Sequence, residues 1–141
     1  MTFSMHRPTI VLADDHRGVV NVASMLLCGD YDVVATVCDG AMAVEAVAEH
    51  KPDIVVLDIG MPSTDGIHAA QRIRTLGFTS RVVFLTVQED ADCVEAARAL
   101  GASYVLKPRM YSDLVMAIAE ALAGRLFFSI PVRTFGFSNP L

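Results

Sequence analysis

Apolar residues follow two different spacings along the chain. Five short runs are apolar at nearly every position and rich in Val and Ile, a composition typical of β-strands. Between them, apolar residues recur every three or four positions, as in amphipathic helices. The alternation predicts five βα units, and strands without polar alternation indicate a parallel sheet covered by helices on both faces. The predicted strands are residues 9–13, 31–37, 53–58, 81–86 and 103–107.

Glycines and capping residues mark the predicted helix ends. Glycine is favoured just after a helix because it tolerates the left-handed backbone conformation found there. Asp and Ser are favoured just before a helix because their side chains accept hydrogen bonds from its free N–H groups. The predicted stops are Gly29, Gly77, Gly101 and Gly124, and the predicted caps are Asp39, Asp90 and Ser112.

Composition restricts the class of protein. The chain has 141 residues, of which 53% are apolar, and its mean hydropathy is +0.46. A chain of this length buries one sizeable core, so we expect one α/β domain over residues 1–124 and a tail or linker over residues 125–141. The net charge of −5 argues against direct nucleic-acid binding by this chain, because such binding relies on Lys and Arg.

Cysteines and apolar segments indicate the compartment. Three cysteines without a CxxC pair suit reduced thiols better than a disulfide framework, which favours the cytoplasm. The most apolar late stretch is interrupted by Glu120 and Arg125, so no membrane segment is expected. The histidines share no metal-ligand spacing and are interpreted as solvated or locally bonded. The residues concerned are Cys28, Cys38, Cys93, His6, His16, His50 and His68.

Polar residues stand at the carboxyl ends of four predicted strands. Because those ends meet at one edge of a parallel sheet, their side chains should converge. Three carboxylates in one place repel one another and require positive charge, which Mg²⁺ supplies while keeping sites for water and phosphate oxygens. A lysine and a threonine add a second positive charge and a hydroxyl. The set fits phosphoryl chemistry and comprises Asp14, Asp15, Asp58, Thr86 and Lys107.

The motifs at these strand ends are LADDH, VLDIGMPSTDG, FLT and YVLKP. Together they resemble the receiver domain of two-component response regulators over about residues 9–124, and most of all receivers that precede helix-turn-helix output domains. The resemblance implies a doubly wound, flavodoxin-like (βα)5 fold with strand order 2-1-3-4-5. It also implies phosphorelay signalling in transcription regulation, with a sensor histidine kinase or phosphotransfer protein as partner. Homodimerisation would use the fourth helix, fifth strand and fifth helix.

The resemblance implies a role for each acidic residue. Asp58 would be the phosphoacceptor and form an aspartyl phosphate. Asp15 and Asp58, with the backbone carbonyl of Gly60, would hold Mg²⁺ or Mn²⁺, and Asp14 would act on the metal mostly through water.

The same resemblance assigns the residues around the phosphoryl group. Lys107 would pair with it, and Thr86 would bond to it once it is attached to the acceptor. Thr86 and Tyr104 would form a switch, with Thr86 drawn to the phosphoryl group and Tyr104 turning into the space that it leaves. The switch would change the surface of the fourth helix, fifth strand and fifth helix.

Three residues near the acceptor are expected to set the rate of hydrolysis. Val87 stands where the family usually has Ala or Ser, and its branched side chain should narrow the approach of water. Gly60 leaves room for water, and Gln88 has a side chain that can orient it, as a glutamine does in some phosphoryl hydrolases. We favour the steric effect of Val87, because Gln88 has rotatable bonds and no evident partner. A longer-lived phosphorylated state is therefore predicted.

Other functions fit these residues less well. A haloacid-dehalogenase-like phosphatase needs a second acid two residues after its nucleophile, where this chain has Gly60. A flavodoxin-like nucleotide binder needs a phosphate loop after the first strand, where this chain has the acidic DDHRG. Two alternatives stay open: a receiver that binds partners without phosphorylation, and a tail that ends either a stand-alone receiver or a truncated regulator. No conventional enzyme activity is expected beyond the chain's own phosphorylation and dephosphorylation.

Overall fold

The computed structural model describes residues 6–129, and this part of the chain alternates strictly between strands and helices. The five predicted βα units are confirmed, with strand boundaries within about a residue of those expected. The elements are β1 (Thr9–Ala13), α1 (Arg17–Leu27), β2 (Asp32–Val37), α2 (Gly40–His50), β3 (Ile54–Leu57), α3 (Gly66–Thr75), β4 (Arg81–Thr86), α4 (Ala91–Ala99), β5 (Ser103–Leu106), a 3-10 turn (Lys107–Arg109) and α5 (Met110–Leu122).

The strands form one parallel sheet in the order β2-β1-β3-β4-β5. This confirms the predicted doubly wound fold and strand order. Helices α2, α3 and α4 cover one face of the sheet, and α1 and α5 cover the other. The strand order reverses between β1 and β3, so their carboxyl ends flank the crevice where such sheets bind ligands. Alternate strand residues face the two cores, with Val11, Val55 and Phe84 on one side and Ile10, Val56 and Val83 on the other.

The two edge strands differ in burial. Every residue of β5 is buried, whereas β2 alternates between exposed and half-buried positions. Cover on both faces is still present for β2, because Ala35 and Val37 pack against one core and Val33 against the other, but it is incomplete. Because both are edge strands, their position in the sheet does not explain the difference; β5 is also paired at Tyr104 with Phe128 on its outer side.

The helix ends agree with the predicted capping residues in part. Asp39 caps α2 by accepting a hydrogen bond from the Met42 N–H at 2.8 Å, while Asp90 precedes α4 without a side-chain cap bond. The prediction for Ser112 is wrong, since Ser112 lies inside α5, which continues directly from the 3-10 turn. Asp65, which the sequence pattern did not single out, caps α3.

Three of the four predicted glycine stops have the expected backbone. Gly77, Gly101 and Gly124 follow α3, α4 and α5 with positive φ, whereas Gly29 after α1 does not. Lys51 takes the left-handed conformation after α2, a position that the glycine pattern did not predict. Within residues 6–129, no helix combines the length and apolar character needed to span a bilayer.

A buried carboxylate fastens the end of the described chain to α5. Asp113 accepts hydrogen bonds from the Ser129 hydroxyl at 2.6 Å, the Ser112 hydroxyl at 2.9 Å and the Arg109 Nε–H at 3.0 Å. Burial alone raises the pKa of the Asp113 carboxyl, but these three donors outweigh it and lower the pKa below its usual value. The ionised carboxylate is therefore the form that the fold stabilises.

Replacing Asp113 with asparagine should lower the free energy of unfolding at pH 7 by about 1–3 kcal/mol, because the charged acceptor is lost. A carboxyl with a depressed folded pKa stabilises the protein above its unfolded pKa of about 3.9, and this contribution disappears as the pH falls through the folded value. Urea unfolding measured from pH 7 to pH 2 gives the free energy of unfolding at each pH. Over this range that free energy should fall less for Asp113→Asn than for the wild type. Glu49→Gln, at an exposed carboxyl, is the control, and equal acid sensitivity of Asp113→Asn and wild type would contradict the assignment.

Candidate functional site

Side chains from three strand ends meet at the carboxyl edge of the sheet. Asp14 follows β1, Asp58 follows β3 and Lys107 follows β5. The Lys107 ammonium lies 3.0 Å from Asp14 Oδ2 and 3.1 Å from Asp58 Oδ2. The carboxyl ends of neighbouring parallel strands lie side by side at this edge, so residues far apart in the sequence come together there.

The charges in this cluster are buried and unbalanced. Asp14 is 6% exposed and Asp58 is 3% exposed, and one ammonium faces both carboxylates. Asp14 Oδ2 is in ion-pair contact with Lys107 yet accepts no hydrogen bond. Buried carboxylates require compensation by charge and hydrogen bonds. The cluster therefore has the chemistry of a site for a hard cation, which prefers carboxylate oxygens.

Asp15 and His16 extend the cluster toward solvent. His16 Nδ1 lies 3.2 Å from Asp14 Oδ1 and 3.3 Å from Asp15 Oδ1, and the His16 backbone N–H donates to Asp14 Oδ1 at 2.8 Å. One potential ligand atom from each of Asp14, Asp15, His16 and Asp58 lies within 4.8 Å of the others. Sequence spacing had assigned His16 no place in the site, although its position directly after two acids was the available signal.

A hydrogen-bonded path joins Thr86 to Tyr104. The Thr86 hydroxyl accepts from the Gln88 backbone N–H at 3.2 Å, and the Tyr104 hydroxyl donates to the Gln88 carbonyl at 2.7 Å. Both Thr86 and Tyr104 are fully buried. Burial is the main cause that raises the pKa of the Tyr104 phenol, with Cys93 and Asp90 adding to it, so the hydroxyl stays a donor at neutral pH. A displacement of the segment after β4 would reach Tyr104 through these bonds.

Residues 10–119 match the sequence model of the response regulator receiver domain. The chain belongs to this family. The transcriptional regulatory protein PdtaR of Mycobacterium tuberculosis is 39% identical over 116 residues, which cover 81% of this chain and 56% of that protein. The oxygen regulatory protein NreC of Staphylococcus haemolyticus is 33% identical over 129 residues, or 89% of this chain and 59% of NreC.

A solved receiver-containing structure agrees with the fold. The two-component response regulator of the LuxR family from Aurantimonas sp. superposes with a TM-score of 0.81 at 35% identity, covering 88% of this chain and 91% of that one. The present chain spans little more than half the length of the curated relatives it matches. The comparisons therefore confirm that residues 10–119 form a two-component receiver domain.

The surroundings of the receiver's Asp58 bear on the residues expected to tune hydrolysis. The Gly60 N–H donates to Asp58 Oδ1 at 3.4 Å, and the Val87 side chain is 63% exposed. The sequence suggested no partner for Gln88, and that premise is wrong. The Cys93 thiol donates to Gln88 Oε1 at 3.6 Å, and Gln88 Nε2 would lie 3.4 Å from a Cβ at Gly60. The Gln88 amide is thus held beside Gly60.

The thiol that contacts Gln88 stays protonated at neutral pH. Burial, assisted by the nearby Asp90, raises the pKa of Cys93 to about 11. A protonated thiol is a weak hydrogen-bond donor, which is the role that its contact with the Gln88 carbonyl oxygen requires. The Cys93 thiol is therefore a weak contact of the Gln88 side chain.

Gly66, at the start of α3, lies directly against the backbone of Asp58. A Cβ at Gly66 would lie 2.1 Å from the Asp58 carbonyl oxygen, far inside van der Waals contact. The Gly66 N–H donates to the Ile59 carbonyl at 2.9 Å, which holds the helix start against the loop after β3. The spacing of apolar residues in the sequence gave no sign of this close approach, because it exists only in the folded receiver.

Proposed function

We propose that Asp58 is the phosphoacceptor of this receiver and takes a phosphoryl group from the phosphohistidine of a sensor kinase or phosphotransfer protein, or from a small phosphodonor. The observation that carries the proposal is the placement of Asp58 Oδ2, which is buried and lies 3.1 Å from Lys107 Nζ beside Asp14. An Asp58 oxygen forms a bond to phosphorus as the bond between phosphorus and the donor imidazole breaks. The products are an aspartyl phosphate and a free histidine.

The acidic cluster fits a divalent cation in this reaction. Asp14, Asp15 and Asp58, with the backbone carbonyl of Gly60, would hold Mg²⁺ or Mn²⁺. The convergence of carboxylate oxygens from these three residues within 4.8 Å of one another supports this. Bound metal would supply positive charge that offsets the carboxylates and the oxygens of the transferred group.

Lys107 and Thr86 act on the transferred group. Lys107, which pairs with Asp58 before phosphorylation, contributes its ammonium to a phosphoryl oxygen afterwards. The Thr86 hydroxyl, whose oxygen accepts from the Gln88 N–H, can donate its own O–H to the phosphoryl group, and its movement toward that group would draw the Gln88 backbone with it. The movement is passed to Tyr104 through the Gln88 carbonyl. The surface formed by α4, β5 and α5, called the output surface, then changes its affinity for a second copy of the chain or a partner.

The wider role follows from the relatives. PdtaR is a transcriptional regulatory protein and the Aurantimonas structure is a LuxR-family response regulator. We propose that residues 1–124 are the receiver, that residues 125–141 are its tail or linker, and that it controls transcription through a partner or an output domain rather than by direct contact with nucleic acid. Its cysteines are unpaired, which suits the reducing cytoplasm.

Removal of the divalent metal tests the proposed reaction. Incubation with acetyl phosphate and Mg²⁺ should add the mass of one phosphoryl group to the chain, and chelation of the metal beforehand should reduce the labelled fraction to background. The physical reason is that the carboxylate cluster otherwise repels the anionic donor. Intact-mass spectrometry gives the readout. Equal labelling with and without chelator would exclude the metal role, and an absence of labelling in both would favour a phosphorylation-independent binding module.

Substitution of Val87 tests the control of hydrolysis. Val87→Ala should shorten the lifetime of the phosphorylated receiver, since a smaller side chain opens the path of water to phosphorus. A water misplaced by about 1 Å can cost on the order of a hundredfold in rate, which sets the upper limit of the effect. The measurement is the loss of the phosphoryl group in excess Mg²⁺. An unchanged or slower rate for Val87→Ala refutes gating, and a slower rate for Gln88→Ala would assign water positioning to Gln88.

A further inference from the structure

His16 stands where the acidic cluster of Asp14, Asp15 and Asp58 meets solvent. Its backbone N–H donates to Asp14 Oδ1 at 2.8 Å, which fixes the residue beside the cluster. Its side chain is 64% exposed and makes no capping bond to α1, the helix that begins at the next residue. The imidazole therefore takes no part in the hydrogen bonding of the helix start and is accessible to ions from solvent.

The ring nitrogen Nδ1 of His16 has three charged neighbours. It lies 3.2 Å from Asp14 Oδ1, 3.3 Å from Asp15 Oδ1 and 3.5 Å from Lys107 Nζ. Nδ1 carries either a proton or a lone pair, so it cannot both donate to the carboxylates and accept from the ammonium. Hydrogen bonding within the chain therefore leaves at least one of these three contacts unfavourable.

The spacing of these atoms suits a shared cation. The two carboxylate oxygens and the Nδ1 lone pair are electron-pair donors, and a divalent cation attracts all three. Donor atoms about 2.1 Å from a six-coordinate ion lie about 3 Å from their neighbours in its coordination shell. The distances of 3.2 and 3.3 Å from Nδ1 to the two oxygens are close to this spacing. Asp14, Asp15 and His16 are thus arranged as neighbouring ligands of one ion.

His68 contacts a carboxylate in a different setting. Its Nδ1 lies 3.0 Å from both oxygens of Asp65, the capping residue of α3, and both side chains are exposed. This pair involves a single acid and lies outside the acidic cluster. His68 therefore shows what an ordinary surface contact of a histidine looks like in this chain, whereas His16 adds a nitrogen to a set of three acids.

We propose that His16 is a nitrogen ligand of the divalent-cation site and gives the site a preference for first-row transition ions over Mg²⁺. Imidazole binds transition ions such as Co²⁺ and Ni²⁺ well, whereas Mg²⁺ takes oxygen ligands and keeps several waters. This preference rests on the proposed cation site at Asp14, Asp15 and Asp58, whose oxygens alone would favour transition ions less.

Metal affinities of the full chain test the role of His16. His16→Gln removes the imidazole and keeps a polar side chain, and His68→Gln is the matched control at a histidine paired with a single acid. Asp15→Asn tests whether the ions bind at the acidic cluster. Titration calorimetry gives the dissociation constants of Mg²⁺ and Co²⁺ for each variant, and circular dichroism checks the fold.

His16→Gln should weaken Co²⁺ binding by about tenfold or more, as changes around a bound metal commonly do, and Mg²⁺ binding by much less. His68→Gln should change neither constant, and Asp15→Asn should weaken both. Equal weakening of Co²⁺ and Mg²⁺ in His16→Gln, or no change in either, would overturn the role of His16. If the wild type binds neither ion, or Asp15→Asn leaves both constants unchanged, the proposed cation site itself fails.

Mn²⁺ gives a direct readout of the nitrogen ligand. Pulsed electron paramagnetic resonance of the wild type with Mn²⁺ should show coupling to a directly bound nitrogen. This coupling should persist in His68→Gln and disappear in His16→Gln. The signal does not depend on phosphorylation, so it separates metal ligation by His16 from the reaction of Asp58. A wild type that binds Mn²⁺ without nitrogen coupling would contradict the proposal.

Discussion

Replacing Asp58 with asparagine is expected to abolish phosphoryl incorporation from acetyl phosphate. An amide is a far weaker nucleophile than a carboxylate and forms no stable acyl phosphate, so the loss should be complete within detection. Removal of the Asp58 charge leaves Lys107 paired with Asp14 alone, so the buried charges balance and the fold should stay intact. The readouts are intact mass for labelling and circular dichroism for the fold.

The control for this result is Asp65→Asn. Asp65 caps α3 only seven positions along the chain, and asparagine is an equally good capping residue, so labelling should be unchanged. The label on the wild type should be lost on treatment with hydroxylamine, as expected for an acyl phosphate. If Asp58→Asn were labelled as fully as the wild type, another residue would be the acceptor.

Gly66→Ala is expected both to destabilise the protein and to displace Asp58, the proposed phosphoacceptor. The new methyl group would lie 2.1 Å from the Asp58 carbonyl oxygen, and the obstacle is backbone that cannot rotate away. Overpacking of this kind costs about 1–3 kcal/mol and sometimes more. The clash can be relieved only if α3 and the end of β3 move apart. This movement would displace Asp58, so the phosphorylation rate should fall as well.

Gly18→Ala is the matched control for Gly66→Ala. Both glycines stand in the first turn of a helix, yet a Cβ at Gly18 meets no atom within 4 Å. Alanine at Gly18 should therefore stabilise the protein by about 0.4–1 kcal/mol by restricting the unfolded chain. Urea unfolding gives both values. A destabilising Gly66→Ala together with a stabilising Gly18→Ala would support the close approach at Gly66. A stabilising Gly66→Ala would contradict it and show that α3 can shift to accept the methyl group.

The polar strand ends were readable in the sequence because each lies next to an apolar run. Asp14, Asp58 and Lys107 stand at such ends, and the folded chain brings them into contact. Their roles in phosphoryl transfer stay predictions that the labelling experiments address. His16 was not assigned to the cluster, since one histidine without ligand spacing carries little signal until its neighbours in space are known.

Other features depended on contacts that no local pattern encodes. Gln88 gained a partner only when α4 brought Cys93 to it. Ser112 was a plausible cap by type, but the 3-10 turn after β5 carries the helix start upstream of it. The sequence predicts only a tail or linker over residues 125–141, because the few residues that pair with the edge of β5 are too short a run to show a period.

By itself the sequence determined the alternation of strands and helices, the parallel character of the sheet and the identity of the polar strand ends. These are local properties, since strand and helix periods are set by backbone geometry and by which side chains avoid water. The strand order came from the family resemblance and not from periodicity. Only the tertiary structure decided which edge strand is fully buried, which glycine lies against the Asp58 carbonyl, and that Lys107 faces both Asp14 and Asp58. Such pairings join residues far apart in the chain: Lys107 and His16 are 91 positions apart, and Lys107 and Asp14 are two positions further apart. They depend on packing of the whole sheet with its helices.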